Sequence, residues 1–186
     1  MTIATRMTLE EFLELPETKP YLEYACGEVY RKPMPDTAHS LLQTFLAVLM
    51  FQAARLSQGL VGTEWRCAFG PRDGKRSYVP DILYVSRDRM PAGNLLEQRD
   101  LPAAPDLAVE ILSRGQPNQR FNRKTAFYLD QGVRLVWLVD PRRRTVPVLA
   151  PGREPRTLTA ADTLDGGDVL PAFSIPVAEI FAQLNV

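Results

Sequence analysis

Two acidic residues stand inside runs that otherwise read as fully apolar strands, and this limits the possible folds more than anything in the composition. In SYVPDILYV (residues 77–85) Asp81 alternates in phase with Val79, Leu83 and Val85. In PDLAVEILS (residues 105–113) Glu110 alternates in phase with Ala108 and Leu112. Alternate strand residues share a face, and a strand apolar throughout is buried on both faces. Each carboxylate is therefore expected to meet a desolvation penalty. A lone buried carboxylate takes up a proton, whereas two close together need a cation between them. A hard divalent ion fits, because such ions prefer oxygen ligands and often use one or two carboxylates with waters and a phosphate. An Arg or Lys paired to each acid fits as well, and from these two residues alone the readings stand level.

Lys124 shifts the balance. On a predicted helix over NQRFNRKTAFYLDQG it lies on the side of Phe121, Tyr128 and Leu129, which should face the sheet. A lysine there is costly unless its ammonium meets an anion, and its helix follows the Glu110 strand after a short loop. Glu23, in the first hairpin with Tyr21 and Ala25 on its face, is a weaker third acid. His39, the only histidine, stands at the start of the long helix, where it could overlook a cleft. Arg114, Arg120 and Arg123 lie between Glu110 and Lys124 along the chain and are candidates for phosphate contacts that position a strand without reading its sequence. Arg142, Arg143 and Arg144 read as a solvated hairpin tip.

The 186 residues suit one domain, 1–186, with a sizeable core. Thr8-Leu-Glu-Glu11 has the form of a capping box and predicts a short helix to Leu15, ended by Pro16. YLEYACGEVYRKP predicts a hairpin turning at Cys26-Gly27. Apolar spacing predicts a helix from about Thr37 to Ser57, stopped by Gly59 and wide enough in its apolar face to lie on a sheet. Strands are expected at 62–70 and 77–85, joined by a turn at Asp73-Gly74, then at PDLAVEILS, VRLVWLVDP and TVPVLAP, with a loop over 87–104. A last hairpin and a short helix over Val177 to Leu184 complete an α/β chain in which helices pack on a mixed sheet.

Lys plus Arg equals Asp plus Glu, so no global basic field draws in nucleic acid. Cys26 and Cys67 form no CxxC or zinc spacing and are expected as reduced thiols. No signal-type segment opens the chain, and Leu41–Ala54, broken by Gln43, Thr44 and Gln52, reads as too short and too polar to span a bilayer, so a cytoplasmic location is expected. No P-loop, dinucleotide glycine pattern or GxSxG is present.

Asp81 in VPDILYV, Glu110 in PDLAVEILS, Lys124 in the next helix and GVRLVWLVDP together resemble the Uma-two-type family of restriction-endonuclease-like proteins within the PD-(D/E)xK nuclease superfamily. MTLEEFLEL and the YLEYACGEVY hairpin resemble the family's opening, and the likeness runs from Met7 to Leu184. The resemblance implies a restriction-endonuclease-like mixed central sheet flanked by helices. It implies Asp81 and Glu110 as ligands of Mg²⁺ or Mn²⁺, and Glu23 as the hairpin acid. The superfamily's usual lysine follows the second acid by two residues, a position that is Leu112 here, so the resemblance assigns that role to Lys124. The implied activity is metal-assisted hydrolysis of DNA phosphodiester bonds by a homodimer on a duplex. Another phosphate ester such as RNA, and a catalytically inactive nuclease fold that binds nucleic acid or protein, stay open as alternatives.

Overall fold

The computed structural model describes residues 2–3, 7–69, 76–90, 93–113 and 118–185, with 2–3 and 118–121 in backbone only. The first helix, α1 (Leu9–Leu13), begins with the capping box read from the sequence. Glu11 N–H donates to Thr8 Oγ1 at 3.2 Å, and Thr8 N–H donates to Glu11 Oε2 at 2.7 Å. Strands β2 (Leu22–Ala25) and β3 (Glu28–Arg31) form the expected hairpin. Its turn puts Cys26 at φ 51° and Gly27 at φ 90°, the two left-handed residues a tight hairpin needs. A short β1 (Thr2–Ile3), which the sequence did not signal, pairs with β3.

SYVPDILYV is not one strand. It supplies β6 (Arg76–Tyr78) to one sheet and β7 (Ile82–Val85) to another, with Val79-Pro80-Asp81 between them. Pro80 has no N–H to give to a ladder, which ends the pairing there. The preceding strand divides too, into β4 (Leu60–Thr63) and β5 (Cys67–Ala68). Glu64, in the gap, adopts φ 52°, a left-handed conformation that breaks an extended run. The intervening turn around Asp73-Gly74 lies outside the described residues. The 87–104 loop carries two short 3-10 turns, Arg87–Arg89 and Leu95–Glu97.

Strands β8 (Leu107–Ile111), β9 (Leu135–Val139), β10 (Val146–Leu149) and β11 (Arg156–Leu158) complete a mixed six-stranded sheet in the order β11-β10-β9-β8-β7-β4. The other sheet runs β1-β3-β2-β6-β5. Only the β8–β9 pair is parallel within the six-stranded ladder, and its crossover is helix α3 (Asn118–Asp130), as a parallel connection requires.

The two faces of the large sheet have different partners. Helix α2 (Thr37–Leu56) lays Leu42, Leu46 and Met50 on Ile82, Tyr84, Val109 and Trp137. The tail adds Leu164, Phe173 and Ile180 to that side, from β12 (Thr163–Gly166), β13 (Leu170–Pro176) and α4 (Val177–Ala182). On the opposite face Leu83, Ala108, Val136 and Leu138 meet Phe127 and Tyr128 of α3, together with Tyr78 of the second sheet. The chain crosses from one sheet to the other at Val79-Pro80-Asp81, between β6 and β7. Cys26 is exposed, Cys67 is buried, and both are free thiols.

Helix α2 corrects one expectation. At 20 residues and a mean hydropathy of 1.2 it is long and apolar enough to cross a membrane by length and composition, because the helix runs beyond Leu41–Ala54 at both ends. Its inner face is packed core, while Val48 and Phe51 are more than half exposed. This asymmetry predicts that Leu46→Ala lowers unfolding stability by about 2–5 kcal/mol, whereas Phe51→Ala changes it by less than about 1 kcal/mol, as read by urea denaturation of each variant.

Candidate active site

Asp81 follows the strand break and precedes Ile82, which pairs with Val109 of the antiparallel β8. One step further along that register Asp81 stands across from Glu110. The Ile111 N–H donates to Asp81 Oδ2 at 2.6 Å, so the peptide following Glu110 itself fixes the Asp81 carboxylate. His39 Nε2, from the first turn of α2, lies 3.1 Å from the same oxygen. Gln43, one turn later, donates to the Asp81 carbonyl at 2.8 Å and to Glu64 Oε1 at 3.1 Å. Asp81 and Glu110 are each at most 3% exposed.

Two lysines neutralise this cluster from opposite sides. Lys124 Nζ, from α3, lies 2.6 Å from Glu23 Oε1 and 2.7 Å from Glu110 Oε1. Tyr128, one turn further along α3, donates its hydroxyl to Glu110 Oε1 at 2.7 Å, and the Val79 N–H donates to Glu23 Oε1 at 3.2 Å. The ammonium also lies 5.5 Å from the centre of the Tyr78 ring, an added cation–π contact. Lys32, just past β3, reaches Asp81 Oδ1 at 2.6 Å and Glu64 Oε2 at 2.8 Å. The cation expected between the buried acids is thus supplied, in this structure, by ammonium groups.

The balance is incomplete. Among the described residues four carboxylates, Glu23, Glu64, Asp81 and Glu110, share two ammonium groups, with His39 beside Asp81. Burial and the charge of Asp81 push the Glu110 carboxyl up to about 7, against the pull of Lys124. Burial acts the same way on Asp81, but Lys32 and the His39 hydrogen bond win and hold it well below the usual carboxylate range. Burial opposes the charge of both lysines, yet their carboxylate partners raise them. Burial likewise opposes a charged His39, and Asp81 overcomes it, so His39 is raised. Among the described residues its Nδ1, which is buried, has no hydrogen-bond partner.

Oxygen donors of this kind, more numerous than the ammonium groups that face them, suit one hard divalent cation. Asp81 and Glu110 are the residues that could hold it. Among the described residues no three His, Cys, Asp or Glu side chains converge as ready ligands, so the remaining positions would fall to water and phosphate, as is usual for Mg²⁺. An open cleft of about 350 Å³, lined by Lys32, His39, Gln43, Glu64 and Asp81, leads to the site.

Asp81, Glu110, Lys124, Glu23 and His39 come together as one network. Arg123 does not join it: it is exposed and borders a separate groove with Arg76, Tyr78 and Phe127. Arg114 and the side chain of Arg120 lie outside the described residues. Arg142, Arg143 and Arg144 are exposed at the turn after β9, where the backbone N–H groups of Arg142 and Arg143 donate to Asp140. Sequence reasoning missed Lys32, Glu64 and Gln43, and treated Tyr128 only as packing. Lys32 closes a hairpin before Pro33, and Glu64 sits in the polar run Thr63-Glu64-Trp65-Arg66, where neither carries a local signal.

Comparison with protein families finds the Uma2 model, described as "Putative restriction endonuclease", over residues 9–178. Among solved structures, a protein of Anabaena variabilis described as a putative nuclease belonging to DUF820 is 29% identical and superposes with a TM-score of 0.87, covering 96% of this chain and 99% of that one. No curated protein matches the chain.

The Glu110 shift sets a pH dependence. From its ordinary value near 4.5 up to about 7, native Glu110 keeps a proton that the unfolded chain has released. Its contribution to stability is present below pH 4.5 and lost as pH rises through 7. The raised His39 acts in the same direction. Urea denaturation of the metal-free chain between pH 5 and 7.5 should show stability falling with pH, and Glu110→Gln should flatten most of that slope.

Proposed function

We infer that this chain, which belongs to the Uma2 family, is a metal-dependent endonuclease that hydrolyses DNA phosphodiester bonds. The observation carrying this reading is the pair of buried carboxylates, Asp81 and Glu110, brought together at a strand break beside an open cleft, in a cluster where four acids share two lysines. A Mg²⁺ or Mn²⁺ ion held by the two acids would polarise a phosphate and lower the pKa of a bound water. The chain's own groups prepare that site. The Ile111 N–H and His39 fix the rotamer of Asp81, and Gln43 ties its carbonyl to α2. Lys124 and Tyr128 fix the Glu110 carboxylate through one oxygen, Oε1.

Lys124 stands where the superfamily lysine would act. It reaches Glu110 from the helix rather than from two residues down the strand, and an ammonium there would offset the charge that develops on the phosphate. Glu23 holds Lys124 in place and adds to the negative field. Arg123 and Arg76, at the neighbouring groove, offer phosphate contacts to a duplex that the neutral chain does not attract by net charge. A cytoplasmic homodimer, each copy a single domain acting on one strand, belongs to the same proposal.

The second reading, a nuclease fold that binds without cleaving, is favoured by one observation: every acid in the cluster already has a lysine within 2.8 Å. Plasmid DNA incubated with the chain and Mn²⁺ separates the two readings. The endonuclease nicks or linearises it, and Asp81→Asn and Glu110→Gln each lower the rate at least about 100-fold with the fold intact. Tyr128→Phe should weaken Mn²⁺ binding about 10-fold through its loss of hold on Glu110. Unchanged cleavage by Glu110→Gln removes that residue as a ligand, and retention of DNA without any cleavage favours the binding module.

A further inference from the structure

We propose that Lys32 is a built-in competitor for the metal, holding Asp81 in the metal-free chain and withdrawing onto Glu64 when a divalent cation binds. This rests on the metal-dependent reading above and concerns which group must move for the metal to enter. Both Asp81 oxygens are engaged. Oδ2 is held by the Ile111 N–H at 2.6 Å and by His39 at 3.1 Å, and Oδ1 by Lys32 at 2.6 Å. The Ile111 amide belongs to the backbone at the end of a central strand and cannot leave without breaking the ladder. His39 is packed in the first turn of α2 and is 4% exposed. Lys32, by contrast, reaches Asp81 on a long flexible stem, and it lines the entry cleft beside His39 as it does so.

An ammonium this deeply buried could not abandon its carboxylate without a second one, since an unpaired buried charge is strongly unfavourable. Glu64 supplies it. Its Oε2 already lies 2.8 Å from Lys32 Nζ, and its Oε1 is held by Gln43 at 3.1 Å. The Glu64 side chain is 22% exposed against 2% for Asp81, so withdrawal carries Lys32 towards the cleft mouth. Its left-handed backbone at φ 52° is the unusual feature that aims this acid at the lysine, and such conformations persist where the surroundings demand them. One cation thus replaces another on Asp81, and the cluster never holds both its full negative charge and no compensation.

Calorimetric titration of the full chain with Mn²⁺ tests this. Lys32→Met should bind Mn²⁺ about 10-fold more tightly than the wild type, or better. Glu64→Gln, which leaves Lys32 only Asp81 to hold, should bind about 10-fold more weakly. In the Lys32→Met background the Glu64→Gln penalty should shrink to less than about 3-fold, because the substitution then acts only by removing a nearby charge. Lys32→Gln serves in place of Lys32→Met if the latter does not fold, with the same direction expected. Binding by the folded lysine variant that is equal to or weaker than the wild type overturns the competitor role while leaving the metal reading in place. Absence of Mn²⁺ uptake by the folded wild type and lysine variant alike overturns the metal reading and this proposal with it.

Discussion

Taking a carboxylate out of water is among the costliest steps a fold can make, and this one brings four into a single cluster between its two sheets. Everything at that end of the molecule answers to the resulting charge. The two sheets meet there, α2 and α3 approach it from opposite faces, and each helix delivers polar groups to the acids, His39 and Gln43 from one, Lys124 and Tyr128 from the other. The apolar layers on both sides, Leu42 and Leu46 on one and Phe127 and Val136 on the other, hold the helices at the distance these contacts need. Packing and electrostatics are coupled through Asp81 in particular. Its position depends on Pro80 ending one ladder, and its charge depends on Lys32 arriving from the other sheet.

A different buried acid makes the contrast plain. Asp106, at the opposite end of the β8 run, is also fully buried. It accepts the Ser86 N–H at 2.7 Å and has the guanidinium groups of Arg89 and Arg134 within 3.5 Å. Arg134 also meets the exposed Asp168 at 3.0 Å. Glu110 shares its ammonium with Glu23 and is pushed up to about 7. One acid faces two guanidinium groups, and the other sits in a cluster where four acids share two ammonium groups.

Much of this was legible in the sequence, for a specific reason. Asp81 and Glu110 stood out because their neighbours are apolar on both strand faces, and Lys124 because helical spacing put it among residues facing the sheet. The capping box at Thr8 and Glu11 and the hairpin at Cys26-Gly27 were readable from local chemistry alone. The strand break at Pro80 was visible as a residue, but the alternation of Val79, Asp81 and Leu83 outweighed it, and nine residues were read as one strand. Lys32 and Glu64 gave no signal because their partners are non-local: Lys32 meets Asp81 across 49 positions of sequence, and Glu64 turns towards them only through a backbone conformation that its residue type does not announce. Periodicity reports which face a side chain occupies within an element, and it is silent on which elements converge.

Leu112, two residues after Glu110, is apolar, and Lys124 reaches Glu110 from the adjacent helix at 2.7 Å, anchored in turn by Glu23. On the proposed function, the acids at the strand break are arranged for a divalent ion and the lysines stand in for it. Anomalous diffraction from crystals soaked in Mn²⁺ should then give a peak within bonding distance of carboxylate oxygens from both Asp81 and Glu110, with Lys32 moved off Asp81. A map with no peak between them at millimolar Mn²⁺, and both ammonium pairs intact, would contradict it.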